Sequence, residues 1–375
     1  MRILFTGGGT GGHVFPLVAV IREIRKIYPR KDLEFYYAGP QDEFGAILLS
    51  QEDVKVKIIA AGKIRRYFSF ENITDVLFKI PWGIIQSFFF LVKTEPSVVF
   101  SKGGYGSLPI LFCAKIFRIP IFIHESDVYP GLSNRISSKW ARKIFVSFPH
   151  TEYFDPKRTT LVGNPIRLEI LDGSKDLAKE IFNLTLEKPV LLFMGGSQGA
   201  EAINDFVLRT LNELLPDFEI LHICGQNNVK QVQAEVQVVI KKDLEQYYHL
   251  SGSLDEQKMK HAYRAADFVI ARAGAGTIFE VAAMGIPSIL IPLPGAAGNH
   301  QAKNAYTYSE TGAAIVIEQG NLTANFFLAT LRHLFINPEK IEKMKEEALR
   351  FSKPQSAKTI ARDILEYLML EKHEG

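Results

Sequence analysis

The sequence predicts an α/β protein built from two doubly wound parallel sheets. Short apolar runs, most of them nearly continuous, alternate with helix-like stretches along the chain, as strands covered on both faces require. A strand, a glycine turn and a helix open the chain at Met1–Val20, and the same pattern restarts at Pro189. With 375 residues, 47% hydrophobic and 23% charged, there is material for two cores and none of the profile of a disordered chain.

The strand candidates of the first half are Ile3–Thr6, Leu33–Ala38, Lys55–Ile59, Ser97–Ser101, Ile121–His124 and Lys143–Ser147, with helical patterns such as Val14–Ile27 and Ser107–Phe117 between them. Those of the second half are Pro189–Met194, Glu219–Cys224, Tyr248–Leu250, Phe268–Ala271, Ser288–Pro292 and Ala314–Ile317, with a helix over Ala200–Leu215. Leu161–Pro165 reads as the crossing, giving domains 1–162 and 163–355. The final helix, about Ser356–Leu370, is assigned to the first domain, although its pattern alone suits either half.

Each half carries a glycine turn. Gly7-Gly8-Gly9-Thr10-Gly11-Gly12 links the first strand to its helix, and glycine there lets a ligand approach backbone N–H groups at a helix N-terminus. Gly7, Gly9 and Gly12 satisfy G-x-G-x-x-G, but the second strand ends Tyr37-Ala38-Gly39, with no terminal acid for a nicotinamide ribose. The second turn, Gly195-Gly196-Ser197-Gln198-Gly199-Ala200, lacks the Lys of a P-loop and the spacing of a hydrolase elbow. It reads either as a diphosphate cradle or as a tight turn whose glycines serve packing alone.

In open α/β sheets ligands bind at the carboxyl ends of strands. There the sequence places His13, Lys102–Ser107, His124–Asp127, Arg272–Thr277 with Glu280, and Gly298–Gln301 with Asn304. His13 and Asp127 are candidate general bases for a hydroxyl. Cys113, Cys224 and the histidines show no metal-ligand spacing, and two cysteines suit a reducing compartment. No hydrophobic leader follows Met1-Arg2, which predicts no signal peptide, and Ile80–Val92 is too short to span a bilayer.

The charge is uneven. Residues 1–165 hold 22 Lys and Arg against 14 Asp and Glu, whereas the remainder holds 22 against 27. A basic first half suits an anionic partner. Lys63–Phe68 and the apolar stretch Glu71–Lys93 form a patch for an anionic membrane surface. Within it, Phe88–Val92 are expected to complete the first core, while Leu77, Phe78 and Trp82 suit core and lipid equally. Nucleic-acid binding is disfavoured, since no recognised motif and no strongly basic balance occur.

Seven segments together resemble the MurG glycosyltransferases of peptidoglycan synthesis: Gly8–Pro16, Gly103-Gly104-Tyr105, His124-Glu125, Pro130–Arg135, Gly163–Arg167, Gly195–Ala200, and Asn299-His300-Gln301 with Asn304. The resemblance implies a GT-B architecture, two Rossmann-like domains facing a cleft. It implies inverting, metal-independent transfer of N-acetylglucosamine from UDP-GlcNAc to the C4 hydroxyl of the muramyl sugar of lipid I, giving lipid II. No cofactor is implied, and the location implied is peripheral, at the cytoplasmic face of the cell membrane.

The family's motifs further imply a donor site of Arg167, Gly196, Ser197, Gln198, Gly199, Ser253, Leu254, Gly276, Thr277, Glu280, His300, Gln301 and Asn304, bordered by Thr10, Gly11 and Gly12. Gly8, Gly9, Thr10, Gly11, Gly103 and Gly104 would hold the acceptor diphosphate, with His13, Tyr105 and Asp127 near the reacting hydroxyl. Two positions depart from the family. Ser126-Asp127 stand where many members carry Gln-Asn, and Gly298 stands where many carry Asp. The alternatives are a related GT-B enzyme acting on diacylglycerol or another lipid, a nicotinamide oxidoreductase, and a non-catalytic sugar-nucleotide-binding protein.

Overall fold

The computed structural model describes residues 1–8, 11–30, 32–62, 75–149, 153–196 and 199–374. The chain divides into two compact units, Met1–Arg167 with Lys353–Gly375, and Leu168–Ser352.

The first unit holds a parallel sheet of seven strands: β1 (Arg2–Thr6), β2 (Glu34–Gly39), β3 (Lys55–Ile58), β4 (Val98–Ser101), β5 (Ile121–Glu125), β6 (Lys143–Val146) and β7 (Thr159–Leu161). Their order is β3-β2-β1-β4-β5-β6-β7. The order reverses between β1 and β4, whose last residues, Thr6 and Ser101, lie side by side. This switch point is where such sheets bind ligands. The edge strand β7 lies in the segment that the sequence reading left mostly unassigned; it is three residues long and none of them is buried.

Apolar residues on both sheet faces build the core. Ile3, Phe5, Phe35 and Phe100 pack against helix Gly11–Ile27 on one face. Leu4, Val99, Ile123 and Ile144 pack with helix Leu108–Ile116 on the other. The last helix, Ser356–Glu374, lays Ala357, Ile360, Ala361, Ile364, Leu365 and Leu368 onto the first of these clusters, at helical spacing.

Helix Ile80–Thr94 corrects one expectation. Phe88, Phe89 and Val92 do not complete the core; they are exposed, and only Leu91 of that run is deeply buried. The reason is helical phase. Gly83, Ser87, Leu91 and Thr94 recur every three or four residues and face inward. Gly83 and Ser87 are small enough for the helix to lie close, so the aromatic residues point outward. Leu77 (60% exposed), Phe78 (69%) and Trp82 (55%) extend the same apolar strip. The basic part of this patch, residues 63–74, lies outside the described residues.

The second unit repeats the design with six parallel strands: β8 (Val190–Met194), β9 (Glu219–Ile223), β10 (Tyr248–Ser251), β11 (Phe268–Ala271), β12 (Ser288–Leu290) and β13 (Ala314–Val316). The order is β10-β9-β8-β11-β12-β13, so a second switch point falls between β8 and β11. His222 is wholly buried in this unit. Tyr248 Oη lies 2.8 Å from its Nδ1 and Asn204 Oδ1 lies 3.0 Å from its Nε2, a pairing met by the neutral ring with a proton on Nε2.

Candidate functional site

At the first switch point β1 runs into Gly7 and Gly8, and helix Gly11–Ile27 begins three residues later. Gly9 and Thr10 lie outside the described residues. His13 sits in the first turn of that helix, half-buried, with its ring against Gly8. A Cβ on Gly8 would stand 3.0 Å from the His13 ring. Behind β4, Gly103 and Gly104 have φ of 83° and 87°, a region that favours glycine. A Cβ on Gly104 would lie 2.7 Å from Gly8 Cα and 3.3 Å from His13 Nε2. The two glycine segments therefore touch, with the imidazole packed against both. Tyr105 follows directly and is exposed.

The next strand end supplies a buried polar cluster. Lys102, His124, Glu125 and Asn164 are all nearly inaccessible. Lys102 Nζ donates to His124 Nδ1 (2.8 Å), to Asn164 Oδ1 (3.1 Å) and to Ser126 Oγ. His124 Nε2 then donates to the Gly163 carbonyl at 2.9 Å. Burial, aided by the Lys102 charge, holds the His124 imidazole well below its usual value, so the ring is neutral. Glu125 accepts from the backbone N–H of Asp127 and of Gly131 and from Asn134 Nδ2, at 3.0, 3.1 and 2.9 Å. These bonds shape the 125–131 turn and hold Asp127, half-buried, at its tip. Burial, reinforced by the neighbouring Asp127 charge, pushes the Glu125 carboxyl up.

Arg167 belongs to this unit as well; its guanidinium lies 3.9 Å from the centre of the Phe15 ring, whose edge is 3.2 Å from where a Gly11 Cβ would be. The resemblance set it beside the donor diphosphate, whereas its packing here is with the helix that carries His13.

The second unit repeats the glycine turn. Gly196 and Gly199 have φ of 89° and 79°, and Gly199 N–H bonds Gly196 O at 3.0 Å. A Cβ on Gly196 would meet nothing within 4 Å, so that turn faces open space. Ser197 and Gln198 lie outside the described residues. Beyond β11, helix Ala275–Ala283 starts after Gly274 with no side-chain cap and no acid in its first turn. Its first N–H groups are thus left for an anion. Gly276 and Thr277 share a face with Glu280 by helical spacing, and Tyr263 Oη donates to Glu280 Oε2 at 2.9 Å.

The remaining predicted residues cluster at neighbouring strand ends of the same sheet. Ser253 Oγ donates to Gln226 Oε1 at 3.1 Å, and Leu254 packs on the core beside them. His300 Nδ1 pairs with the Ala297 carbonyl at 2.8 Å. Gln301 Oε1 accepts from Leu293 N–H at 3.0 Å, and Asn304 Nδ2 reaches Ala273 O at 3.4 Å. Gly298 (φ 68°) and Asn299 (φ 55°) both turn left-handed ahead of His300, a backbone that glycine and asparagine adopt readily.

Sequence reasoning assigned no role to three residues that organise these sites. Lys102 anchors the first, Tyr263 orients Glu280, and Arg272 ties the Ile291 and Pro292 carbonyls to Gln319. The strand-end rule pointed at Lys102 and Arg272 but not at what they bind. Among the described residues no group of three or more His, Cys, Asp or Glu is placed to hold a metal ion.

Two Rossmann-like units, each with a glycine turn at its switch point, form a two-domain architecture of the GT-B class. Residues 3–146 match the glycosyltransferase family 28 N-terminal domain and residues 190–361 its C-terminal domain. A Clostridium kluyveri protein named UDP-N-acetylglucosamine–N-acetylmuramyl-(pentapeptide) pyrophosphoryl-undecaprenol N-acetylglucosamine transferase is 38% identical over 352 residues, 93% of this chain and 96% of its own. A Clostridium tetani protein of the same name is 34% identical over 93% of this chain and 94% of its own. The crystal structure of Acinetobacter baumannii MurG superposes with a TM-score of 0.73 at 25% identity, over 97% of this chain and 99% of that one. The chain belongs to the MurG family of N-acetylglucosamine transferases.

Proposed function

We propose that this protein transfers N-acetylglucosamine from UDP-GlcNAc to the C4 hydroxyl of the muramyl sugar of lipid I, with inversion at the donor C1, to give lipid II. The observation that carries this is the end-to-end match, at 34–38% identity, to proteins named for that transfer.

The acceptor hydroxyl must lose a proton as its oxygen attacks C1 of the donor sugar. His13, with its ring at the paired glycine turns, and Asp127, at the tip of the Glu125-braced turn, are the proton acceptors of the site. The Gly8–Gly12 turn and Gly103-Gly104 bind the lipid I diphosphate through backbone N–H groups, with Tyr105 beside it. UDP departs as charge gathers on its β-phosphate. The Gly196–Gly199 turn and the uncapped helix at Ala275 offset that charge with amide dipoles, which requires no metal. Thr277 lies near the phosphates and Glu280 takes the ribose hydroxyls. His300, Gln301 and Asn304 border the sugar, and Ser253-Leu254 border the uracil.

Lipid I is membrane-bound, and the exposed strip Leu77, Phe78, Trp82 and Phe89 supports docking at the cytoplasmic face of the membrane. Lys115, Arg118, Lys139 and Arg142 line a hollow with Trp140 and Tyr367 in the same unit, and suit anionic headgroups. Among the described residues no helix is long and apolar enough to cross a membrane.

Radiolabelled UDP-GlcNAc offered to a short-chain lipid I analogue, with diacylglycerol in parallel, tests the proposal. Label on the analogue alone is expected. Label on diacylglycerol instead would overturn the acceptor, and tight UDP-GlcNAc binding without transfer would make the protein a sugar-nucleotide binder.

A further inference from the structure

Three neighbouring strand ends of the second sheet are tied together by side chains. Arg272 follows β11, Ile291 and Pro292 follow β12, and Glu318 and Gln319 follow β13, in the order of the sheet. Arg272 is nearly inaccessible. Its Nη1 donates to the Ile291 carbonyl at 3.1 Å and to the Pro292 carbonyl at 3.3 Å. Its Nη2 reaches past β12 to Gln319 Oε1 at 2.7 Å. Among the described residues these acceptors are all amide oxygens. Removing one of them leaves a buried N–H of a cation without a partner, which is costly.

The residue beside Gln319 grips a second element. Tyr306 Oη donates to Glu318 Oε1 at 2.8 Å. Tyr306 lies on helix His300–Ser309, which packs beside β13 and carries His300, Gln301 and Asn304. Two consecutive residues thus hold both ends of segment 291–301. Between the ends the backbone turns repeatedly, with positive φ at Gly295, Gly298 and Asn299. Leu293 N–H donates to Gln301 Oε1 at 3.0 Å, so the start of the segment is bonded to the helix in which it ends. No strand ladder fixes a run of this kind, and its course depends on how its ends are held.

We propose that Glu318 and Gln319 are positioning residues for the donor sugar. Gln319, through Arg272, sets where segment 291–301 begins; Glu318, through Tyr306, sets the helix in which it ends. This rests on the proposed function, in which His300, Gln301 and Asn304 border the sugar. Neither residue touches substrate. Their loss should fall on the sugar and spare the nucleotide, which the glycine turn behind β8 and helix Ala275–Ala283 hold.

Calorimetric titration of the full chain with UDP-GlcNAc and with UDP tests this, read as the ratio of the two Kd values. Gln319→Met keeps the side-chain length and removes the acceptor. It is expected to weaken UDP-GlcNAc about tenfold and UDP less than about twofold. Gln319→Glu keeps an acceptor for Arg272, and its added charge acts on the diphosphate of both ligands, so its ratio should stay within about twofold of wild type. Tyr306→Phe, at a residue 46% exposed, should shift the ratio about threefold with the fold intact. A general loosening weakens both ligands together. An unchanged ratio in Gln319→Met or in Tyr306→Phe would therefore overturn the proposal, as would a Gln319→Glu ratio shifted as far as that of Gln319→Met. If Gln319→Met does not fold, the other two decide: a shifted ratio in Tyr306→Phe with an unshifted one in Gln319→Glu supports the proposal, and any other pair overturns it. Gln301→Ala tells the failures apart. A ratio that shifts in Gln301→Ala but not in the Gln319 and Tyr306 variants removes the brace alone. A ratio unchanged in all of them removes the sugar from this segment, and the brace with it.

Discussion

Alanine at Gly104 would place a methyl group against the backbone of Gly8, and alanine at Gly196 would place one in open space. The two glycines both have positive φ, 87° and 89°. Each substitution carries a positive-φ backbone cost of about 1–3 kcal/mol, and at Gly104, with ψ 160°, the backbone lies in a region that is essentially glycine's alone. They differ in room. The Gly104 Cβ would sit 2.7 Å from Gly8 Cα and 2.8 Å from Gly8 N, and backbone cannot yield as a flexible side chain can. Overpacking of that kind adds about 1–3 kcal/mol. Gly104→Ala should therefore cost about 2–6 kcal/mol and Gly196→Ala about 1–3 kcal/mol. The Gly104 methyl also lies 3.3 Å from His13 Nε2, so its relief displaces the imidazole and lowers kcat as well as stability. Urea unfolding followed by intrinsic fluorescence gives the stabilities, and transfer to a soluble lipid I analogue gives kcat. Equal destabilisation by the two variants, or an unchanged kcat in Gly104→Ala, would refute the claim that the two turns pack around His13.

Three other outcomes follow from the geometry. Tyr263→Phe removes the bond to Glu280, and the loss of one hydrogen bond to a carboxylate, about 1.5 kcal/mol or more, should raise the UDP-GlcNAc KM roughly tenfold with kcat little changed. Burial holds the His222 imidazole down at about 3, below its unfolded value, so its stabilisation is complete above pH 6.5 and is lost as pH falls toward 3. At pH 5 that loss is about 2 kcal/mol, and His222→Gln should flatten the pH dependence of unfolding by this amount. Glutamate at Leu77, Phe78 and Trp82, all exposed, should leave the melting temperature within about 1–2 °C and weaken co-sedimentation with anionic vesicles about tenfold or more. Unchanged vesicle binding would remove that strip from the docking surface.

Much of the fold was legible because β1, β4, β8, β9 and β11 are covered on both faces and so read as unbroken apolar runs. The second glycine turn was legible because few residues but glycine adopt the positive φ of Gly196 and Gly199, and the first because Gly104 and the His13 ring approach Gly8 closely. What stayed hidden was set by tertiary contact. Lys102 finds its partners 22, 24 and 62 residues away, and no local pattern announces them. Tyr263 reaches Glu280 across 17 residues and reads as an ordinary core aromatic. Phe88, Phe89 and Val92 misled because composition marks them as apolar, while the helical phase set by Gly83, Ser87 and Leu91 turns them outward. β7 is too short and too exposed to give a periodic signal.

Under the proposed function, acceptor activation belongs to the unit carrying His13, and nucleotide binding to the unit carrying Glu280. Titrating UDP into His13→Ala and Glu280→Gln, alongside their turnover numbers, measures that division. His13→Ala is predicted to lose about 10²–10⁴-fold in kcat while binding UDP within about twofold of wild type, and Glu280→Gln to bind UDP roughly tenfold more weakly. A His13→Ala protein that loses UDP affinity in step with its rate, or a Glu280→Gln protein that binds UDP as wild type does, would contradict it.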